Sequence, residues 1–246
     1  MREFRADLHI HSVLSPCGDL DMSPRNIISC AKEKQLDIIG ITDHNSTRHG
    51  PLMRRLGREE GVFVLTGAEV TSREEVHCLC FFEDDNKLDV FQKYLDKNLI
   101  PFPNDPKRFG YQVVVDEEDN IIDEVKNLLV YSIDRTVSEI EEFVHGLGGL
   151  FIPAHINRER NGLISQLGFV PSGINADALE ISRHISLKDF LGSNSYLSDF
   201  SFIQSSDAHF PDDIGRVHTV LRLDDISYNE IRLALEKQKG REVLLS

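Results

Sequence analysis

The chain has no tryptophan, and aromatic residues make up only 8% of its 246 positions. A groove that holds single-stranded nucleic acid stacks bases on aromatic side chains, so the scarcity weighs against that class of site. Basic residues are also few. Lys and Arg number 27 against 41 Asp and Glu, for a net charge of −14. Nonspecific binding to nucleic acid needs cations to neutralise phosphates, and a surface this acidic opposes it, although bound divalent cations would offset the charge locally. Only four cysteines occur, Cys17, Cys30, Cys78 and Cys80. Their spacings form no disulfide framework, and Cys78-x-Cys80 is not the CxxC of a redox or zinc motif. They read as reduced thiols, Cys17 included, although it lies beside a candidate ligand. No apolar run reaches membrane-spanning length. Met1-Arg2-Glu3 leads directly into a strand-like segment, so no signal peptide is expected and the expected location is cytoplasmic. There is no Gly-x-Ser-x-Gly elbow, no phosphate-cradling P-loop and no internal repeat.

What is present is an alternation of strand-like and helix-like segments. Hydrophobic residues at 40% allow a sizeable core, and the length fits one α/β domain or two small ones. Strands are expected at Phe4–Ile10, Leu36–Thr42, Val62–Ala68 and Val76–Phe82. Ser23-Pro24 should open a helix, since Ser caps and Pro suits the first turn. A polar helix is expected over 51–60. Thr136-x-x-Glu139 and Ser227-x-x-Glu230 resemble capping boxes, each followed by an apolar helical stripe. Further strands are expected at Leu150–Pro153, Ala178–Ile181, Phe202–Ser205 and Val217–Leu221. Repeated βα units argue for a parallel sheet or barrel. Residues 98–135 break the rhythm with Pro101, Pro103 and Pro106. They read as an insertion over one rim, in which Tyr111–Val115 pairs with Leu128–Ser132 across the acidic Asp116–Asn120 segment.

Ligand-type side chains recur where these strands stop. His9 and His11 lie two residues apart on a strand and therefore project to the same face. Asp207 and His209 have the same spacing. Asp43-His44 follows a second apolar run, and Glu69 ends a third. Imidazole with carboxylate suits zinc, manganese or iron, and a carboxylate such as Glu69 can bridge two ions. A single His-x-His pair would be weak evidence, but repeated clusters at strand ends point to a polynuclear metal site. Such groups in βα barrels come from strand C-terminal ends. Asp7 shares the His9 face and is expected to orient an imidazole. Asp43 is either a supporting hydrogen-bond partner or a proton-transfer group. His49, His145, His184 and His218 read as structural or exposed.

The ordered set Asp7-Leu8-His9-Ile10-His11-Ser12, Ile41-Thr42-Asp43-His44-Asn45, Gly67-Ala68-Glu69-Val70, His77, Pro153-Ala154-His155 and Ser206-Asp207-Ala208-His209 resembles the PHP (polymerase and histidinol phosphatase) family of metal-dependent phosphoesterases. The motifs run from residue 7 to residue 209. The resemblance implies a distorted seven-stranded (β/α)7 barrel over one domain, 1–246, with two or three divalent ions of zinc, manganese or iron. It implies that His9, His11, Glu69 and Asp207 hold one ion, and that Glu69 bridges to a second held by His77 and His155. A third would take His44, His209 and a residue after the first motif, for which Asp19 is the candidate and Asp21 the alternative. Asp19 lies eight residues beyond His11, farther than is usual in the family.

The expected chemistry is hydrolysis of a phosphate ester by hydroxide formed between adjacent divalent ions, with Glu69, Asp207 and Asp43 as the catalytic carboxylates. Arg158 and Arg183 are candidates to fork onto a phosphate. The acidic charge favours a small phosphomonoester as substrate. The alternatives are an exonuclease on short nucleic acid and a non-catalytic metal-binding regulatory module. No membrane partner is expected.

Overall fold

The computed structural model describes residues 1–245. The order is β1 (Arg2–Ile10), α1 (Pro24–Glu33), β2 (Ile38–Ile41), α2 (Gly50–Glu60), β3 (Phe63–Thr71), β4 (His77–Phe82), α3 (Asp85–Asn98), α4 (Pro106–Phe109), β5 (Val113–Val115), β6 (Ile121–Glu124), α5 (Val137–Gly146), β7 (Leu150–Pro153), α6 (Leu163–Leu167), β8 (Leu179–Glu180), α7 (Leu187–Ser193), β9 (Phe202–Ile203), β10 (Thr219–Leu223), α8 (Tyr228–Leu235) and β11 (Glu242–Leu244). The helices start where their caps require. Ser23 Oγ accepts from the N–H of Asn26 at the head of α1, and Thr136 with Glu139 completes a reciprocal box on α5. On α8 only half the box forms, because the Glu230 carboxylate is taken by the N–H of Asp224 and by Arg241.

Seven strands form one curled sheet, a half-barrel, in the order β11-β10-β1-β2-β3-β4-β7. It is not the uniformly parallel sheet that βα alternation suggests. Only β1–β2 and β2–β3 run parallel within it. The link from β3 to β4 is too short for a crossover helix, so these strands form an antiparallel hairpin. β7 is antiparallel to β4, and β10 to β1. A short parallel pair, β8–β9, stands beside it. Asp177 and Ile156 tie this pair to the β7 side, through Asp177 N–H to Phe151 O at 3.0 Å and Ile156 N–H to Glu180 O at 2.8 Å. On the other side Ala208 pairs with β1, His11 N–H donating to its carbonyl at 3.0 Å.

The strand directions bring every motif to one edge. β1, β2 and β3 end there, antiparallel β4 begins there with His77, and β7 leads to His155 there. Beneath that edge the interior is filled by Leu8, Ile38, Leu65, Leu79, Phe81, Ile152 and Ile203, closed by Ile231 and Ala234 of α8. Gly67 allows β3 and β4 to approach two residues before Glu69: a Cβ there would lie 1.9 Å from the Cys80 carbonyl oxygen.

The insertion folds differently from its expected pairing. β5 pairs with β6, not with Leu128–Ser132. The Asp116 carboxylate accepts from the N–H groups of Glu118 and Asn120, which closes a tight turn and returns the chain at once. Leu128 and Leu129 are buried instead. The segment is fastened to the sheet edge: the Asn45 amide donates to the carbonyls of Leu129 and Tyr131, each at 2.7 Å, and His49 Nε2 accepts from the N–H of Val115 at 3.0 Å.

His145, in the last turn of α5, has its imidazole pKa raised by a 3.0 Å hydrogen bond with Asp177. The stabilisation is complete below the ordinary imidazole value near 6.5 and disappears as pH rises through the raised value. Denaturant titrations should show His145→Gln costing about 0.5 kcal/mol more at pH 5.5 than at pH 9, the scale of a part-exposed pair at a helix end. A cost independent of pH would remove this contribution.

Candidate metal centre

Five imidazoles converge on one buried carboxylate. Glu69 Oε1 lies 2.7 Å from His77 Nδ1, 3.1 Å from His155 Nε2 and 3.3 Å from His9 Nε2. Its Oε2 lies 3.0 Å from His44 Nδ1 and 3.4 Å from His11 Nε2. Asp207 Oδ1 stands 3.5 Å from Nε2 of both His9 and His11. The His209 ring stacks on His11 with centroids 4.3 Å apart. Three groups have ligand atoms within 4.8 Å of one another: His9 with His11 and Glu69, His44 with Glu69 and His77, and His11 with His44 and His209.

This donor set fits divalent cations. Neutral imidazole has one lone pair and one N–H, so five rings cannot all satisfy two oxygens by hydrogen bonds. His44 Nδ1, His77 Nε2 and His155 Nδ1 are buried without a hydrogen-bond partner, a costly state unless something else binds the cluster. The electrostatics carry the same tension. Burial opposes ionisation of Glu69, yet His77, His9 and His44 hold it well below the usual carboxylate range. Burial likewise opposes charge on His9, but Glu180, Glu69 and Asp207 raise its pKa well above the ordinary value. His11 is lowered well below it by burial and by the charges of His209 and His44. Burial pushes His77 down to about 4 despite Glu69.

The supporting residues explain how the rings are aimed. Glu180 Oε2 lies 3.0 Å from His9 Nδ1 and accepts from the N–H of His155 at 2.9 Å, which leaves His9 Nε2 facing Glu69 and Asp207. Sequence reasoning passed over Glu180, although an acidic residue inside the apolar run at 178–181 was a signal. Asp43 is fully enclosed. Its oxygens accept from Ser12 N–H (2.7 Å), Ser12 Oγ (2.6 Å) and Ser15 Oγ (2.7 Å), and Ser15 Oγ lies 3.0 Å from His11 Nδ1. It therefore acts through Ser15 on His11, the supporting role of the two considered, and it does not face the cleft as a catalytic carboxylate would. Asp7 orients no imidazole. Where β1 shifts register, its carboxylate turns to accept from Ser206 N–H (2.9 Å), Ser206 Oγ (2.6 Å) and Gly215 N–H (2.7 Å). Burial raises its pKa to about 6 against these hydrogen bonds.

Asp19 stands apart from the three groups. Its Oδ1 accepts from the N–H of Asp21, closing their own turn, and the Asp21 side chain is exposed. Of this loop, Cys17 lines the cleft with His155, Asp207 and His209, and its thiol feels the imidazoles of His44 and His209. Burial would raise its pKa, and these two imidazoles bring it down to about 6. His49 is structural, bonded to Ser12 and Val115, and His184 is exposed.

Two of the expected ligands sit on strained backbone. His155 has φ +27° and Asp207 φ +53°, conformations costing on the order of 1–3 kcal/mol each. Beside them opens a cleft of about 360 Å³, lined by Cys17, His155, Glu180, Asp207, His209 and the two arginines singled out by sequence. Arg158 is paired with Asp207, and Arg183 reaches the Ser206 carbonyl at 3.2 Å and Asp213 at 3.5 Å.

Residues 7–145 match the PHP domain family, and residues 198–239 match a PHP-associated family. The chain belongs to the PHP family. Members of that family are metal-dependent hydrolases of phosphate ester bonds. The chain is 26% identical to YqxK of Bacillus subtilis over 99% of its own length and 65% of that protein's. It is 40% identical to an uncharacterized protein of Methanocaldococcus jannaschii over 78 residues, 28% of this chain and 46% of that one. It thus spans less than two thirds of either relative. Among solved structures, the lesion-specific endonuclease Q of Pyrococcus furiosus superposes with a TM-score of 0.76 at 21% identity, over 99% of this PHP chain and 58% of the endonuclease. A chain described as a metal-dependent phosphoesterase from Bifidobacterium adolescentis gives 0.60 at 17% identity, over 95% and 96%.

Three predictions follow from this geometry. Glu69→Gln should bind divalent metal at least tenfold more weakly by equilibrium dialysis, and a fully loaded variant would contradict the bridging arrangement. Glu180→Gln should weaken it about 10- to 100-fold, the usual cost of losing a partner that aims a ligand. His9, His44 and His209, whose pKa values are all raised against burial, carry protons near neutrality that a metal must displace. Calorimetry in buffers of different ionisation enthalpy should therefore show net proton release on zinc binding at pH 6.5. Apparent affinity should rise with pH.

Proposed function

We propose that this chain is a phosphoesterase that hydrolyses a small phosphomonoester with two or three divalent ions, zinc, manganese or iron. The observation that carries the reading is Glu69 with its five imidazoles, set beside a cleft that holds two arginines. His9, His11, Glu69 and Asp207 would hold one ion, Glu69, His77 and His155 a second, and His44 with His209 a third. Ions held there would lower the pKa of a water and neutralise charge growing on the phosphate. Residues 1–246 are taken as one PHP-type domain, barrel-like in plan, with 98–135 as its insertion.

The chain's own residues supply the rest. Glu180 and the Asp43–Ser15 pair fix two imidazoles so that little reorganisation accompanies the reaction. Arg158 is held by Asp207. Were Asp207 to hold a cation, the Arg158 guanidinium would be free to bind a substrate phosphate. Arg183, anchored at Ser206 and Asp213, is set to meet a second phosphate oxygen. The small cleft volume and the acidic surface favour a small phosphomonoester.

A second reading has its own support. The likeness to endonuclease Q, one structure of which holds a 27-mer duplex with an abasic lesion at its active site, makes nucleic acid a substrate to test. Exposed Phe210 on the cleft wall could stack a base. The test is phosphate release by manganese- or zinc-reconstituted protein from nucleoside monophosphates, histidinol phosphate, an aryl phosphate and 5′-phosphorylated oligonucleotides, the last sized for cleavage. Release from monoesters without chain scission is the expected result. Scission of oligonucleotides would transfer the function to the nuclease reading. Arg183→Ala should raise KM about tenfold or more with the monoester, the cost of a charge-assisted hydrogen bond.

A further inference from the structure

We propose that His49 is a positioning residue: through it, the seating of the insertion at 98–135 sets the aim of His11 in the metal centre. This rests on the metal-centre reading above. The first observation is an unbroken chain of hydrogen bonds. The N–H of Val115 in β5 donates to His49 Nε2 at 3.0 Å, and His49 Nδ1 lies 2.7 Å from Ser12 Oγ. Ser12 Oγ donates to Asp43 at 2.6 Å, and Ser15 Oγ donates to the same carboxylate at 2.7 Å. His11 Nδ1 lies 3.0 Å from Ser15 Oγ. All six residues are buried.

The protons run one way along this chain. A backbone N–H can only donate, so His49 Nε2 accepts and the ring carries its proton on Nδ1. Ser12 Oγ accepts that N–H and turns its own hydrogen to Asp43. A carboxylate only accepts, so Ser15 Oγ also gives its hydrogen to Asp43 and accepts from His11 Nδ1. His11 is left with its lone pair on Nε2, the nitrogen 3.4 Å from Glu69 and 3.5 Å from Asp207. That is the tautomer a metal needs. With Val115 gone, His49 is free to carry its proton on Nε2, and Ser12 is free to turn from Asp43 to Nδ1.

Packing ties the same two segments together. Val13 packs with Val113 and Val115, and Leu14 with Val114 and Leu129. The insertion is thus the bed of the loop that carries both serines. Gly110 lies so close to that loop that a Cβ there would be 1.9 Å from the Pro16 carbonyl oxygen. His49 stands at the head of α2, yet its side chain makes no capping bond, so the ring serves the chain to Asp43 and not the helix. Coupling between two sites is reciprocal. A seated insertion tightens the metal, and a bound metal holds the insertion down.

The test is amide hydrogen exchange of the full chain with and without zinc, beside zinc affinity by chelator competition. In the native chain zinc should slow exchange at Val115 and the rest of β5 at least about fivefold, the lower end of typical coupling between sites. This slowing should exceed any change in α8, which closes the core beneath the sheet edge. His49→Asn, whose shorter amide can donate to Ser12 without reaching Val115, should bind zinc at least about fivefold more weakly and lose the extra slowing. A residue that only holds the fold together would lower the melting temperature of the metal-free chain and leave the zinc effect on β5 intact. Zinc binding that leaves β5 exchange unchanged in the native chain would overturn the proposal, whether or not the variant folds, and leave the metal centre standing. So would a β5 effect that persists in His49→Asn. A native chain that binds no zinc would overturn the metal-centre reading itself, and this proposal with it.

Discussion

The arrangement depends on a single carboxylate placed where a carboxylate is costly. Glu69 is buried near the end of β3, and its charge is bearable only because five imidazoles face it. Those rings are delivered by four pieces of backbone: His9 and His11 by β1 and the residue just past its end, His44 by the loop after β2, His77 by the start of β4 and His155 by the turn after β7. The antiparallel reversal at β4 is what brings His77 to the same edge as the ends of the parallel strands. A uniformly parallel sheet would have put that residue at the opposite end of the molecule. The sheet's mixed topology is thus a condition of the site.

Much of this was legible in the chain. His-x-His at a strand end means two rings on one face whatever the fold, and the apolar runs before Asp43, Glu69 and His155 mark strands by composition alone. The parallel arrangement was not recoverable in the same way, since the short β3–β4 connection, and not the helix pattern, decides direction. The insertion shows a similar limit. The acidic turn at 116–120 was visible, but which segment it returned to depended on the Asp116 side chain capping its own backbone.

The departures from expectation around the site have separate physical causes. Alternation along a strand says where a side chain points only while the register is regular. β1 shifts register after Asp7, so a residue assigned to an imidazole reaches the last loop instead. Asp19 was assigned by residue type, as an acidic ligand in the right part of the chain. The carboxylate accepts from the N–H of Asp21 and closes its own turn instead. Glu180 was missed for the opposite reason: a lone acid in an apolar run has no motif around it, and only the packed structure shows that it holds His9 and the backbone of His155 together.

The hold of Asp7 on Ser206 and Gly215 joins positions about two hundred residues apart. The strand that carries His9 therefore also carries the clasp for the loop that supplies Asp207 and His209. His9, His11, His44, Glu69, His77 and His155 are all synthesised before the segment that supplies Asp207 and His209. The cluster is therefore complete only once segments far apart in the chain have met, so its assembly reports on closure of the whole fold and not on any one local element.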